Sequence, residues 1–468
     1  MLKRFFSYYK PHKKLFISDM MASFMISLLG ITYPIITRNM LNVAIPQKNL
    51  QLIFTYGISL SAIYFVRMLL RFFVQYYGHI MGVKIQANMR LDMFNKLQTL
   101  PFSFYDENET GRIMSRMTND LMDISELAHH GPEHILISGF MIFGSFFYLY
   151  SIEPTLTAII YACIPILLFF SLYFKDRMRE AFTETKKDIA VINASLESSI
   201  SGIRVTKAFT NSKKEEEKFN VGNKKFVSSR STAYKAMAQF SSTTSFITDI
   251  FNVVVLSAGG YFLCVGKITA ADYSAFIISV NLFINPLTML IEFVEQYQNG
   301  VTGFKRFLEI MDEPSEKENP DVIDVKGFEG EISFDDVSFS YNDSNDILEN
   351  VSFDIKKGER AAFVGPSGGG KTTICHLIPH FYNIATGSIK IDGIDIKNIS
   401  LDSLRKNIGI VQQDIYLFNG SIKENILYGR LNATDEEVIE AAKRANIHEY
   451  IMSLPNQYET NIGERGIK

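Results

Sequence analysis

Two kinds of hydrophobic pattern divide the chain. Up to about residue 295 long, uninterrupted apolar runs recur, whereas beyond about residue 330 short apolar runs alternate with polar turns. A run of about 20 apolar residues is long enough to cross a bilayer as a helix. The first part therefore predicts an α-helical membrane domain, and the second part predicts a soluble α/β domain.

Six apolar runs in the first part are each long enough to span a membrane. None of them contains more than two Asp, Glu, Lys or Arg residues, and a soluble protein rarely buries six helices of this kind. We therefore expect a membrane domain of residues 1–304. Its predicted spans are residues 15–37, 52–82, 135–152, 155–174, 246–266 and 268–291.

The distribution of Lys and Arg predicts how these spans are oriented. The segments between spans two and three (residues 83–134) and between spans four and five (residues 175–245) are long and basic, whereas the opposite connections are short and nearly uncharged. Cytoplasmic loops carry the excess of Lys and Arg. The N-terminus and both long segments are therefore expected in the cytoplasm, where residues 88–100 and 178–200 are predicted to extend the spans as amphipathic helices.

Two arginines interrupt the second predicted span. Arg67 and Arg71 are four residues apart and so share one helix face. Ionisable residues at this depth either line a pathway or bind lipid headgroups, or they extend their charged ends to the membrane interface. The sequence favours neither interpretation.

A motif of the inverted zinc-protease type, H-x-x-E-H, occurs at residues 130–134. That motif binds zinc only when one continuous helix brings both histidines to the same face. Gly131 and Pro132 lie between His130 and His134 and are expected to break the helix. The sequence alone therefore predicts a polar lead-in to the third span, with no metal bound.

Composition narrows the classes of protein and partner. The net charge is −3, which argues against nucleic acid as a partner. The cysteines Cys163, Cys264 and Cys375 are far apart and lack metal-ligand spacing. A disulfide framework is therefore not expected, and the soluble part is expected to face a reducing compartment.

The second part begins after a charged linker, residues 305–330, that contains two prolines. Residues 331–468 then show the alternation of an α/β domain. A hairpin is expected over residues 387–395 with Asp392-Gly393 at its turn, and helices are expected over residues 372–378 and 401–406. The predicted strands are residues 331–334, 337–341, 351–355, 360–364 and 408–411.

A glycine-rich loop lies between one of these predicted strands and the next predicted helix. Residues 365–372 match G-x-x-x-x-G-K-[ST] at every fixed position. Backbone N–H groups of such a loop surround phosphate, the lysine reaches the β- and γ-phosphates, and the hydroxyl after it binds Mg²⁺. The residues predicted to bind the nucleotide phosphates are Gly365, Pro366, Ser367, Gly368, Gly369, Gly370, Lys371, Thr372 and Thr373.

Six spans, long cytoplasmic extensions and this loop resemble an ATP-binding cassette (ABC) exporter half-transporter, of the kind found in bacterial homodimeric multidrug and lipid exporters. In this resemblance Tyr341 is the aromatic residue that stacks on adenine. Gln413, in the Q-loop, would contact Mg²⁺ and the attacking water, and Lys371 would be the second catalytic residue, with Thr372 and Gln413 as Mg²⁺ ligands. Residues 111–123 and 206–218 would be the coupling helices.

The resemblance implies ATP-driven export of a hydrophobic or amphipathic substrate, a drug or a lipid, across the cytoplasmic membrane by alternating access. ATP and Mg²⁺ are the implied cofactors, and membrane lipids surround the protein. A second half-transporter is the implied partner, in a homodimer or a heterodimer. An importer permease fused to a nucleotide domain fits the order of domains less well, and a membrane-anchored P-loop kinase does not need six spans.

The family's signature, Leu-Ser-Gly-Gly-Gln, does not occur in the sequence, although residues 460–466 resemble the segment that precedes it. The family's Mg²⁺-binding Asp, catalytic Glu and switch His would follow the signature. Residues 1–468 alone are therefore expected to bind ATP weakly and not to hydrolyse it. The prediction is an incomplete sequence of a normal exporter, and the alternative is a truncated, non-catalytic half that pairs with or regulates a complete one.

Overall fold

The computed structural model describes residues 1–316, 319–341, 347–366, 368–412 and 415–463. The chain divides into two compact units. The first consists of Met1–Leu100 and Phe104–Ser315, and the second of Pro101–Ser103 and Glu316–Lys468. Each unit is described by itself below.

In the described part of the chain, six helical segments are long and apolar enough to cross a membrane, which confirms the predicted architecture. They are called membrane helices 1 to 6 here. Several consist of more than one helical stretch. Short π-helical turns lie within the second and third at Val74–Gly78 and Arg116–Asp120, and another ends the first at Met40–Ala44. The six segments are Leu2–Ala44, Leu50–Leu97, Thr110–Tyr150, Pro154–Ser201, Ser212–Cys264 and Ala270–Asp312.

The individual α-helices of this unit follow the apolar runs and continue well beyond them. They are α1 (Leu2–Ser7), α2 (Lys13–Asn39), α3 (Leu50–Phe73), α4 (His79–Leu97), α5 (Phe102–Glu107), α6 (Thr110–Ser115), α7 (Leu121–Tyr150), α8 (Pro154–Ala162), α9 (Ile164–Ser201), α10 (Ile203–Ala208), α11 (Ser212–Cys264) and α12 (Ala270–Asp312).

The expected helix break between His130 and His134 is wrong, because α7 continues through Pro132. Proline lacks the N–H group that would bond to the carbonyl four residues earlier. That carbonyl belongs to Ala128, and the Tyr9 hydroxyl of membrane helix 1 donates to it at 2.7 Å. A side chain from membrane helix 1 thus supplies the missing donor, and the buried Ala128 carbonyl has a hydrogen-bond partner despite Pro132.

The two largest apolar clusters among the described residues of the membrane unit stabilise it. One lies around the helix extensions and is centred on Met89, Ile124 and Phe307, which are fully buried. The other is formed by membrane helices 3 to 6 around Phe251 and Phe283. Both cores are built from large side chains, and each such side chain stabilises the fold by about 1.5–3 kcal/mol when fully buried.

The second unit contains a twisted antiparallel sheet against which short helices pack. In its described residues the strands run in the order β2-β1-β3-β4. Its core includes Phe334, Leu348, Leu377 and Ile389. The strands are β1 (Ile332–Phe339), β2 (Leu348–Ile355), β3 (Thr386–Ile391), β4 (Ile394–Asp395), β5 (Gly420–Ser421) and β6 (Asn461–Ile462), and the helices are α13 (Lys371–Leu377), α14 (Leu401–Lys406), α15 (Ile422–Leu427), α16 (Asp435–Arg444) and α17 (His448–Met452).

Turn chemistry in this unit follows the prediction. Strands β3 and β4 pair as a hairpin, and Asp392 and Gly393 at its turn both have positive φ, +50° and +77°. A two-residue turn with positive φ at both positions is the form that Asp-Gly favours. The Asp392 carboxylate also accepts hydrogen bonds from the backbone N–H groups of residues 329–331 at 2.6–3.0 Å, which ties the end of the linker to the sheet.

Two predicted strands, residues 360–364 and 408–411, are wrong. Neither segment joins a ladder, and Val364 and Val411 are 90% and 96% exposed. An apolar run becomes a buried strand only where neighbouring strands pair with it and cover it. The described residues provide no such neighbours for these two segments.

Candidate nucleotide site and membrane cavity

The glycine-rich loop leads directly into helix α13. Gly368 and Gly370 have φ of +83° and +78°, a left-handed conformation that residues with a side chain adopt only under strain. Gly370 is the N-cap of α13, and its carbonyl accepts from the N–H of Ile374 at 3.0 Å. The two glycines thus set the curvature of the loop before Lys371.

Gly370 also packs closely against the start of strand β2. A Cβ atom at this position would lie 2.6 Å from Leu348 Cδ2 and 3.3 Å from the carbonyl oxygen of Ile347. Leu348 is the first residue of β2 and is 4% exposed, so it has little room to move. A Cβ atom added at Gly368, in contrast, would have no described atom within 4 Å. The loop is therefore tightly packed at Gly370 and open at Gly368.

The polar side chains after the glycines differ in exposure. The Lys371 ammonium donates to the carbonyls of Gly365 at 3.0 Å and Pro366 at 2.7 Å, so it lies across the mouth of the loop. The Thr372 side chain is exposed, whereas Thr373 is buried. Lys371 and Thr372 are thus accessible to a ligand above the loop, and Thr373 supports the loop from below.

Tyr341 lies beside the start of α13. Its hydroxyl donates to Thr373 Oγ1 at 3.3 Å. Its ring packs edge-on against Phe339 and Tyr382, with centroid distances of 4.8 and 5.0 Å. The structure therefore brings the predicted adenine-stacking residue and the predicted phosphate loop together, although they are about 30 positions apart.

Some predicted site residues fall outside the described part of the chain. Ser367 and Gln413 are among them, and so are residues 464–466 of the segment that resembles the family's pre-signature sequence. Gly365, Pro366 and Gly369 are described and lie on the exposed face of the loop. The roles of all these residues remain predictions.

Within the second unit, Arg405 of helix α14 binds the linker, a contact that the sequence did not indicate. Its guanidinium makes a bidentate pair with Glu316, both distances being 3.0 Å, and donates to the carbonyls of Pro379 and His380. It also lies 5.2 Å from the centre of the Phe381 ring. Burial lowers the pKa of His380 beside it, so the imidazole adds no charge to this cluster at neutral pH.

The residues of the loop fit a nucleoside triphosphate with Mg²⁺. Gly368 and Gly370 have the left-handed φ of a tight turn, the Lys371 ammonium lies at the mouth of the loop, and the Thr372 side chain is exposed. A loop that binds phosphate and Mg²⁺ needs these features. The packed glycine position at Gly370 is where an added side chain would displace the loop. ATP binding is therefore the chemistry that this geometry supports.

The membrane unit contains a cavity of about 660 Å³, a size typical of small-molecule sites. Its wall is formed by membrane helices 1, 2, 3 and 6 and is largely apolar. Arg67 and Arg71 both line it. The other polar lining residues are Ser27, Gln75, Glu133, Asn281 and Asn285.

Comparison with known proteins gives matches to both units. The model of the ABC transporter transmembrane region matches residues 16–287, and that of the ABC transporter nucleotide-binding domain matches residues 348–465. A solved bacterial Atm1-family ABC exporter with ATP bound superposes with a TM-score of 0.82 and 22% identity over 97% of this chain and 80% of the other. At that identity the likeness shows the fold.

Bacterial relatives cover the whole chain. The ABC transporter ATP-binding protein YwjA of Bacillus subtilis, which is uncharacterised, is 40% identical over 100% of this chain and 82% of its own length. A Staphylococcus aureus protein provisionally named a multidrug export ATP-binding/permease protein is 32% identical over 100% of this chain and 82% of its own length. With six membrane helices followed by a nucleotide domain on the cytoplasmic side, the chain belongs to the ABC transporter family as an exporter half-transporter of the cell membrane.

Proposed function

We propose that the protein exports a hydrophobic or amphipathic small molecule, a drug or a lipid, across the cytoplasmic membrane at the expense of ATP. The observation that carries this proposal is the largely apolar cavity among membrane helices 1, 2, 3 and 6, in a chain that also contains a complete phosphate loop. Alternating access of such a cavity moves its contents when ATP binding and release favour different states.

The proposed work of the nucleotide site is divided among few residues. Lys371 holds the β- and γ-phosphates, Thr372 supplies a hydroxyl to Mg²⁺, and Tyr341 supplies an aromatic face for adenine. Gln413 is proposed to contact Mg²⁺ and the attacking water. Phosphoryl transfer to water depends mainly on this positioning and on charge stabilisation. A second half-transporter, proposed to be a copy of this chain, completes the assembly.

The cavity also favours a class of substrate. Its apolar wall suits the body of an amphipathic molecule. Arg67 and Arg71 outnumber Glu133, the one carboxylate among the described lining residues, so that positive charge is available to an anionic or polar group. The guanidinium of Arg67 is 5.9 Å from the centre of the Tyr64 ring, which holds it on this face of the helix. An amphipathic molecule with an anionic group therefore fits better than an amphipathic cation.

The test uses the polypeptide as the cell makes it, reconstituted in proteoliposomes with its nucleotide domains outward. We expect accumulation of fluorescent anionic amphiphiles that requires ATP and Mg²⁺ and is lost in Lys371→Ala. Substitution of both arginines, Arg67→Gln with Arg71→Gln, is expected to raise the KM for anionic amphiphiles at least about tenfold, since each lost charge-assisted contact is worth about 1.5–3 kcal/mol.

A matched control is Arg38→Gln, since Arg38 pairs with Asp272 at 2.6 Å and does not line the cavity. It is expected to leave the preference for anionic over cationic amphiphiles unchanged. Equal transport by wild type and Lys371→Ala would contradict ATP-driven export. Unchanged KM values in the double arginine variant would contradict only the assigned substrate class.

A further inference from the structure

Histidines and carboxylates from three helices meet at the cytoplasmic end of the third predicted span. His129 and Glu133 come from membrane helix 3, His79 from membrane helix 2 and Asp19 from membrane helix 1. His129 and Asp19 are only 2% and 1% exposed. Neither the ring nitrogens of His129 nor the carboxylate oxygens of Asp19 have a hydrogen-bond partner among the described residues. Buried polar groups left in this way are costly unless a ligand satisfies them.

The backbone conformation of membrane helices 2 and 3 brings these side chains together. A Cβ atom at Gly78 would lie 1.9 Å from Cε1 of His129, so membrane helix 2 approaches helix 3 as closely as it does only because residue 78 is glycine. The π-helical turn Val74–Gly78 ends immediately before His79. Helix 3 in turn stays continuous through Pro132 because Tyr9 bonds to the Ala128 carbonyl. His129, His130 and Glu133 are therefore presented on one uninterrupted helix.

Glu133 lies close to two of the histidines, at separations that ligands of one ion would also show. Glu133 Oε2 lies 3.3 Å from His130 Nδ1 and 3.6 Å from His129 Nε2. Hydrogen bonds from N–H to oxygen have lengths of about 2.7–3.2 Å. In a tetrahedral zinc site with bonds of about 2.0–2.2 Å, neighbouring ligand atoms lie about 3.3–3.6 Å apart. The His130 contact is a long hydrogen bond, and both separations also match those between ligand atoms around a common ion.

The nitrogens that face away from Glu133 each face an acceptor. His129 Nδ1 lies 3.7 Å from Asp19 Oδ2, and His130 Nε2 lies 3.5 Å from Glu126 Oε2. His79 Nδ1 is 2.7 Å from the carbonyl oxygen of Gln75, to which it donates, so its Nε2 keeps a free lone pair. Metal-bound histidines characteristically direct their second nitrogen to a carboxylate or a carbonyl. His79 makes such a bond, and the second nitrogens of His129 and His130 have a carboxylate within 3.7 Å.

Charge favours a cation at the centre of the cluster. The salt bridges that the described residues make to Asp19 and Glu133 come from histidines alone. The ring centroids of His79, His129 and His130 lie 4.4–5.2 Å apart. One ligand atom from each of these histidines lies within 4.8 Å of the others. His130 also belongs to a second group of this spacing, with Glu133 and His134. Imidazoles and carboxylates are a donor set for a divalent ion.

We propose that this cluster binds one divalent transition-metal ion of the Zn²⁺ class per chain, through His79, His129, His130 and Glu133, with Asp19 orienting His129. His134 offers a further nitrogen near His130 and Glu133. The ion links membrane helices 1, 2 and 3. Glu133 also lines the membrane cavity, so the occupied site forms part of the cavity wall. This proposal does not depend on the identity of the transported substrate.

The experiment measures metal bound to the purified polypeptide carrying an affinity tag without histidine, in lipid nanodiscs. After dialysis against Zn²⁺, elemental analysis is expected to find one ion per chain. Glu133→Gln and His130→Gln are expected to weaken binding by more than about 100-fold, and Asp19→Asn by about 10–100-fold, the range seen for groups that orient metal-bound histidines. His12→Gln, whose ring contacts Asn88 at 3.2 Å elsewhere in this unit, should bind as wild type does.

Co²⁺ provides a readout on the wild-type protein that does not require a variant to fold. The visible ligand-field absorption of bound Co²⁺ is expected to be intense, as for tetrahedral nitrogen and oxygen ligands, and to disappear when Zn²⁺ is added. Less than one ion bound per chain by the wild type, or Zn²⁺ affinity in Glu133→Gln equal to that of wild type, would overturn the proposal. The same result in His12→Gln as in His130→Gln would also overturn it, because the loss would not come from this cluster.

Discussion

Gly370 offers a quantitative test of the phosphate loop. Alanine there would have to keep a left-handed φ near +78°, which costs a residue with a side chain about 1–2 kcal/mol. Its Cβ would also lie 2.6 Å from the buried Leu348 side chain, and overpacking of this kind costs about 1–3 kcal/mol. Together, Gly370→Ala is expected to disfavour the phosphate-binding form of the loop by about 2–5 kcal/mol.

Gly368 is the matched control, because it has almost the same φ, +83°, but no described neighbour within 4 Å of an added Cβ. Gly368→Ala is therefore expected to show the conformational cost alone, about 1–2 kcal/mol. In terms of affinity, we expect a loss of about 5–30-fold for Gly368→Ala and of more than about 30-fold for Gly370→Ala. The difference between the two variants measures the contact with Leu348.

The assay is equilibrium binding of a fluorescent ATP analogue to the purified protein in nanodiscs, with thermal unfolding as a check that each variant is folded. A third variant, Leu348→Ala combined with Gly370→Ala, removes the close contact and should bring the affinity back toward that of Gly368→Ala. Binding by Gly370→Ala within about twofold of wild type would refute the packing explanation. So would equal losses in the two single variants.

Further predictions concern the nucleotide unit. Arg405→Ala removes the bidentate contact with Glu316. It should cost about 2–3 kcal/mol of local stability, measured by amide hydrogen exchange. The control Lys406→Ala breaks an exposed ion pair with Asp402 and should cost less than about 0.5 kcal/mol. Burial raises the pKa of Asp392, but hydrogen bonds from three backbone N–H groups outweigh this and lower it below its usual value. The ionised carboxylate therefore stabilises the fold above about pH 4, and this stabilisation is lost as the pH falls through the lower pKa of the folded state. Asp392→Asn should therefore lower the unfolding temperature at neutral pH more than at acidic pH, and an equal decrease at both would contradict this. Tyr341→Ala should weaken ATP binding by about 1–3 kcal/mol, because stacking on adenine is lost. Tyr341→Phe loses only a 3.3 Å hydrogen bond and should change ATP binding little. Similar losses of affinity in both variants would count against stacking.

Local and periodic features of the fold could be predicted from the sequence. Six long apolar runs specify six membrane helices, because a bilayer requires that length of apolar helix wherever the chain crosses it. The hairpin turn at Asp392-Gly393 follows from the preference of these two residues for positive φ. The phosphate loop was also evident, since its spacing is specific over eight consecutive positions.

What could not be predicted depends on residues distant in sequence. Pro132 does not break its helix because Tyr9, more than 120 positions earlier, donates to the carbonyl that the proline leaves without a donor. The predicted strands at residues 360–364 and 408–411 lack strand neighbours among the described residues, and an apolar run does not reveal whether such neighbours are present.

The candidate sites show the same division. The loop residues were predictable from one contiguous motif, but the contact between Gly370 and Leu348 requires the fold. Of the histidine and carboxylate cluster, the sequence analysis considered only the motif of residues 130–134, and it predicted no metal there because a helix break was expected inside it. A signal was present in the doublet His129-His130, followed by Glu133 and His134, together with a buried Asp19 in the first span. Only the close approach at Gly78 shows that these groups meet.

The most direct test of the account is the rate of ATP hydrolysis by the polypeptide as the cell makes it, in lipid nanodiscs, compared with that of Lys371→Ala. We expect Mg²⁺-dependent hydrolysis that rises when an anionic amphiphile is added and falls to background in the variant, because Lys371 is the loop residue proposed to hold the β- and γ-phosphates. Hydrolysis by Lys371→Ala at the wild-type rate, or none by the wild type with or without the amphiphile, would contradict the proposal that this loop drives export.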